Sequence, residues 1–323
     1  MSEFSNGWVR RGVAAAAVAV ASAIGVTSMQ AQSAAASDAT TARIMQRLDA
    51  LAADSMEGRR AGTAGSARAR AWIVAELSAM GAKPVGSNYA VPISLRARAG
   101  SDTSGANIVA RIPGQNPSGP VLVLSAHYDH LGVRNGVVFN GADDDASGCV
   151  ALLTIAERLL REPPQHDVIL AFFDAEESGM VGSKAFVNAP PVPLERIAMN
   201  INLDMVARHD GKALWVSGTS HSPSLKPIAE LAAKNSLVTI RFGHDTKNLK
   251  PGDDWTGSSD HSAFHSKGIP FLYLGVEDHD DYHQSGDDAD KVDPAFYRGA
   301  IEFAYALVRA ADAKLSTVTR KAR

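Results

Sequence analysis

Apolar residues along this chain fall into two rhythms. In "TARIMQRLDALAAD", Ile44, Leu48 and Leu51 recur at helical spacing, and "SARARAWIVAELSAMG" repeats the pattern with Trp72, Ile73, Leu77 and Met80 before Gly81 stops it. From residue 107 the rhythm changes: short continuous apolar runs alternate with helical stretches. The runs are "NIVARI", "VLVLSA", "DVILAFF", "IAMNINL", "ALWVSG", "LVTIRF" and "IPFLYLG". Between them lie predicted helices at Ser147–Leu160, near 181–188, at Pro223–Lys234 and, last, from Pro294 to Ala311. This alternation predicts an α/β fold with a mixed, mostly parallel central sheet flanked by helices on both faces.

The polar residues at the end of each apolar run bear on function, because ligands of open α/β sheets gather beyond the carboxyl ends of the strands. "VLVLSA" leads into His127, "DVILAFF" into Asp174, Glu176 and Glu177, and "IAMNINL" into Asp204. "IPFLYLG" leads to "EDHDDYHQSGDD", with His279, Tyr282 and His283. "NGADDDASG" sets Asp143, Asp144 and Asp145 just before a predicted helix. A solvated turn accounts for that triplet alone, but clustered carboxylates without basic partners are costly, and divalent cations would neutralise them.

The 323 residues, 45% hydrophobic and 21% charged, describe a folded protein rather than a disordered or collagen-like chain. A net charge of -3 and the absence of a Lys/Arg-rich block argue against a nucleic-acid partner. Arg10 and Arg11 precede an apolar run, Val13–Val26, that is too short to span a membrane and reads as a signal peptide cleaved between Ala31 and Ala36. The expected division is 1–33 signal peptide and 34–323 a single catalytic domain, exported to the periplasm or beyond, with no membrane association after cleavage. Without Glu3, Arg10 and Arg11 the mature charge moves from -3 to -4. Cys149 is the only cysteine, so no internal disulfide forms, and its apolar neighbours mark it as a buried hydrophobe.

"AHYDH", "NGADDDASG", "FFDAEESG", "NLDM", "SDHSAF" and "DDYHQSGD", in this order and spacing, resemble the M28 family of di-zinc aminopeptidases over about residues 105–310. The resemblance implies the zinc-dependent exopeptidase fold, without an inserted protease-associated domain. It also implies two Zn2+ ions: His127 and Asp204 on one, Glu177 and His283 on the other, Asp144 bridging, and a cis peptide between Asp144 and Asp145. Asp143 matches no ligand position and is expected to be solvated; His130, His261, His265 and His279 match none either. Glu176 is the implied general base for a metal-bridging hydroxide, with Asp129 orienting His127. Tyr282 and Asp260 are candidates for contact with substrate or transition state. The implied substrate is a peptide with a free N-terminus. A carboxypeptidase relative and a glutaminyl cyclase share this fold; "ADDDASG" with "LDM" favours the peptidase, and intact ligands disfavour a purely binding protein.

Overall fold

The computed structural model describes residues 37–96, 102–208, 213–246, 249–250 and 252–318. The signal-peptide reading falls on residues outside this set. The body that holds the sheet is Ile44–Arg323. Its described strands are β1 (Lys83–Pro84), β2 (Ala90–Arg96), β3 (Asp102–Ile112), β4 (Asn116–His127), β5 (Gly132–Arg134), β6 (Val137–Phe139), β7 (His166–Phe173), β8 (Ile197–Leu203), β9 (Leu214–Ser217), β10 (Ile240–Phe242) and β11 (Phe271–Gly275). Its helices are α1 (44–51), α2 (Ala64–Met80), α3 (Gly148–Arg161), α4 (Val181–Asn188), α5 (Lys226–Ala233), α6 (His261–Ser266) and α7 (Pro294–Lys314).

The main sheet runs β1-β3-β7-β4-β8-β11-β9-β10, with β2 paired to β3 beside that path. Its centre, β7-β4-β8-β11, is parallel, so all four strands deliver their carboxyl ends to one edge. Every residue of β7, β8 and β11 is buried, as strands covered on both faces should be. Alternation along β4 sorts the two cores: Leu122 and Leu124 face the larger one, with Ile73 and Leu77 of α2, Leu152 of α3 and Phe303 of α7. Val121 and Val123 face the other, with Phe186 of α4 and Phe264 of α6. Helices on both faces of a mixed sheet agree with the sequence pattern; the parallel pairings lie in β7-β4-β8-β11 and β9-β10, and the outer pairings with β1, β2, β3 and between β11 and β9 are antiparallel. Thr63 caps α2 by accepting from the Ser66 amide, and Gly81, at φ 85°, ends it as its position predicts.

Four elements had no clear apolar rhythm, apart from the second half of β3, which is the run "NIVARI". The long β2–β3 hairpin contains Pro92 on a strand that pairs on one side only, where a missing N–H is tolerated. The β5–β6 ribbon, the two-residue β1 and the short α6 were also unforeseen. β10 is half the length of "LVTIRF", because only Ile240–Phe242 pairs with β9. No described helix is long and apolar enough to cross a membrane.

Candidate metal centre

His127 ends β4, Asp204 follows β8, and Glu176 and Glu177 lie just past β7. The chain turns sharply there: Ala175, Met205 and His283 all hold left-handed backbone at φ 56–60°. Such strain persists in non-glycine residues where surrounding contacts hold it, and it clusters at functional sites.

The aspartate triplet shows why three adjacent carboxylates are tolerated. Asp143 accepts the Ala207 amide at 2.7 Å and lies 3.3 Å from His279 Nε2. Asp145 accepts the amides of His127, Gly148 and Met205 at 3.0, 2.8 and 3.3 Å. Both are wholly buried, so the expectation of a solvated Asp143 is corrected: backbone amides from the neighbouring strand end replace water. Whereas Asp143 meets only His279, Asp144 turns its carboxylate toward three imidazoles at once. Its Oδ1 is 3.2 Å from His127 Nε2, and its Oδ2 is 3.1 Å from His283 Nε2 and 3.6 Å from His130 Nδ1. The peptide between Asp144 and Asp145 is cis.

Two supports of this loop were given no role from the sequence. Asp287 accepts the amides of Asp143 and Asp144 at 3.0–3.1 Å. Arg59, fully buried, donates to the carbonyls of Tyr128, Leu51, Asn140 and Gly141. One guanidinium thus gathers the β4 exit and the aspartate loop, using donors in a fixed fork. Burial lowers its pKa, opposed by nearby acidic groups including Asp144. Its only sequence trace was a charge in "SMEGRR".

The remaining candidates surround Asp144. Asp204 Oδ1 is 3.4 Å from His127 Nε2, and Glu177 Oε2 is 3.4 Å from His283 Nε2. Asp129 meets His127 Nδ1 with its backbone carbonyl at 3.1 Å, and its carboxylate accepts the Glu176 amide at 2.9 Å and lies 3.8 Å from the same Nδ1. It joins the two strand ends, as the β4 and β7 termini lie side by side. Tyr282 stacks on His283, with centroids 3.9 Å apart. Asp260 is sealed from solvent and does not line the cleft; burial pushes its carboxyl up to about 6. Asp174 is also structural, accepting from the Ala106 amide and the Tyr128 hydroxyl.

The cleft is walled by His127, Asp144, Glu176, Glu177, Asp204 and His283, and completed by Met205, Gly252, Trp255, Ser258, Tyr273, Val276, Asp278 and Tyr282. From the segment 215–258 the cleft draws Gly252, Trp255 and Ser258. Burial raises the Glu176 carboxyl well above its ordinary value; Asp260, Asp204 and Asp129 add to this, and His127 opposes it. Burial would make His127 less basic, but Asp204 and Asp144 reverse that and raise its pKa. Burial likewise works against an ionised Asp144, yet His130, His127 and His283 hold its pKa well below normal. Protons and a divalent cation therefore compete for the same groups.

Among the described residues, two sets of donor atoms converge closely enough to hold a metal ion: His127, Asp144 and Asp204, and His130, Asp144 and Glu177. Both contain Asp144. Buried Glu177 Oε1 and both ring nitrogens of His130 have no hydrogen-bond partner, which is costly unless a ligand completes them. Imidazole and carboxylate donors suit a zinc-class cation.

Fold and site together place a candidate metal centre at the strand ends of an α/β sheet. The chain belongs to peptidase family M28, whose model matches residues 107–308. Probable leucine aminopeptidase 2 of Aspergillus fumigatus is 29% identical over 53% of this chain, the match spanning only 33% of that protein. The structure of BSAP, a zinc aminopeptidase from Bacillus subtilis, superposes with a TM-score of 0.65 at 16% identity, covering 84% of this chain and 95% of that one. Bacteroides thetaiotaomicron glutaminyl cyclase gives 0.64 at 19% identity, covering 84% and 97%. These two likenesses establish the shared fold.

Proposed function

We propose that this protein is an exported, zinc-dependent aminopeptidase that removes N-terminal residues from peptides. The observation that carries the reading is Asp144, whose two oxygens face different histidines, 3.2 Å from His127 and 3.1 Å from His283. A carboxylate so placed can join two ions. His127 and Asp204 would hold one Zn2+, Glu177 and His283 the other. Three carboxylates leave the pair with a surplus positive charge that favours an anionic nucleophile. Zinc, when bound, brings water ionisation near pH ~7 and polarises a substrate carbonyl.

The chain's own groups then divide the work. Glu176 takes a proton from the attacking water as the water oxygen bonds to the scissile carbonyl carbon, and returns it to the amine as the C–N bond breaks. Its burial, which raises its proton affinity, suits both halves of that exchange. Asp129 fixes the Glu176 amide and, through its carbonyl, the His127 ring. The Tyr282 hydroxyl would donate to the developing oxyanion. Glu176 and Asp204 offer charge to the substrate ammonium, while Met205, Trp255 and Val276 supply apolar wall for the first side chain.

Turnover of leucyl-anilide and N-acetyl-leucyl-anilide, before and after chelation and zinc return, tests this reading. Cleavage of the free amine alone, lost on chelation and restored by zinc, is expected. Equal rates for the two would overturn the aminopeptidase assignment. Ammonia release from an N-terminal glutamine peptide without peptide cleavage would move it to the cyclase.

A further inference from the structure

We propose that His130 Nδ1 is a metal ligand additional to the five that the family pattern supplies, joining Asp144, Glu177 and His283 around one ion. This rests on the two-metal reading of the site. His130 is 1% exposed, and neither of its ring nitrogens has a hydrogen-bond partner. Its Nδ1 nevertheless lies 2.8 Å from Glu177 Oε1 and 3.6 Å from Asp144 Oδ2. At 2.8 Å a nitrogen and a carboxylate oxygen ordinarily share a proton, but here they are misaligned, and Glu177 Oε1 is also left without a partner. Two atoms that are close yet not aimed at each other are arranged as ligands aimed at a common third point.

The spacings agree. Bonds of about 2.0–2.1 Å around a tetrahedral zinc put ligand atoms roughly 3.3 Å apart. His283 Nε2 stands 3.1 and 3.4 Å from Asp144 Oδ2 and Glu177 Oε2, and His130 Nδ1 stands 3.6 Å from the same Asp144 oxygen and 2.8 Å from the other glutamate oxygen, Oε1, separations that bracket that value. The two imidazoles approach from different directions, 55° apart in plane with centroids 6.0 Å apart. The His130 ring is also pinned: a Cβ on Gly141 would sit 2.5 Å from its Cγ and Cδ2, so only glycine lets the ring lie there.

The consequence is an asymmetric pair. Four protein donors would close the Glu177 position, as in tightly held zinc sites, whereas His127, Asp144 and Asp204 leave one place open for water or substrate. Zinc should therefore leave in two stages, the ion near His127 and Asp204 first.

The test is the zinc-loaded full-length protein. A zinc-anomalous crystal structure should put His130 Nδ1 about 2.0–2.1 Å from one of two ions. Chelator competition should resolve a tight and a weaker site. His130→Phe, which keeps a ring against Gly141, should weaken the tight site by more than about 100-fold, beyond the 10–100-fold typical of losing an outer hydrogen-bond partner. Two bound ions with Nδ1 more than about 3 Å from both, in a hydrogen bond to Glu177, would overturn the ligand role and leave the two-metal reading intact. A wild-type chain that takes up no zinc would overturn both. The crystallographic arm needs no variant, so misfolding of His130→Phe cannot decide the outcome.

Discussion

Two histidine clusters occupy opposite ends of the same strand, and their contrast separates a structural staple from a reactive centre. At the start of β7, His166 Nδ1 lies 3.0 Å from Asp312 Oδ1 and Nε2 lies 3.1 Å from Ser316 Oγ, with the outline of a Ser-His-Asp triad. Asp312 also accepts the amides of Gln165 and His166 at 2.7 and 2.9 Å. Both ring nitrogens are partnered, and the set ties the end of α7 to the sheet. Beyond the other end of β7, Glu177 faces His130 and His283, and buried donor atoms are left over. Residue type alone does not distinguish the clusters. Satisfied hydrogen bonding does, because a completed network stabilises and an incomplete one awaits a ligand.

The largest test of that contrast is Asp144→Asn. It should reduce zinc content at both positions and lower leucyl-anilide turnover by more than the ~10²–10⁴ expected from loss of a general base. Metal analysis beside steady-state kinetics checks this, and loss of one ion with the other unaffected would refute a bridge.

Glu176→Gln separates catalysis from metal binding within the same cleft. Zinc content should stay at the wild-type value while kcat falls about 10²–10⁴-fold. Loss of metal from this variant, with retention in Glu177→Gln, would exchange the two glutamate roles.

The opposite end should answer only in stability. Asp312→Ala strands two backbone amides and should cost about 1–3 kcal/mol, seen as a Tm lower by several degrees, with kcat/KM unchanged. Ser316→Ala should leave hydrolysis untouched, and a serine-directed phosphonate should not label the wild-type residue. Labelling would make the His166 cluster a second active centre.

The last test reads a slope with pH rather than a step. His261 is buried, keeps Nε2 against the Trp255 carbonyl at 2.8 Å, and is pulled down to about 4 by burial, against an ordinary value near ~6.5. Between those values the unfolded chain binds the proton and the folded chain does not. Stability contributed by neutral His261 is therefore present above about pH 6.5 and lost as pH falls toward 4, at up to about 1.4 kcal/mol per pH unit. Thermal melts of metal-free wild type and His261→Gln from pH 7 to 4 should show the shallower decline in the variant.

The strands and their exits were legible because a strand buried on both faces must be apolar throughout and its polar successor must stop it. That is why "DVILAFF" and "IAMNINL" pointed so directly at Glu177 and Asp204. Asp144 could be singled out from its neighbours only through family resemblance; while Asp144 faces three imidazoles, Asp143 and Asp145 accept backbone amides, which have no letter in the sequence. For the same reason Asp287 and Arg59 passed unnoticed, since their work is done on amides and carbonyls far along the chain. His166 and His130 were equally silent as letters. Side-chain direction and hydrogen-bond satisfaction arise only when β4, β7 and the loop after β11 are brought side by side, so the sequence by itself determined which groups reach the edge of the sheet, and tertiary packing decided which are left with a free donor atom.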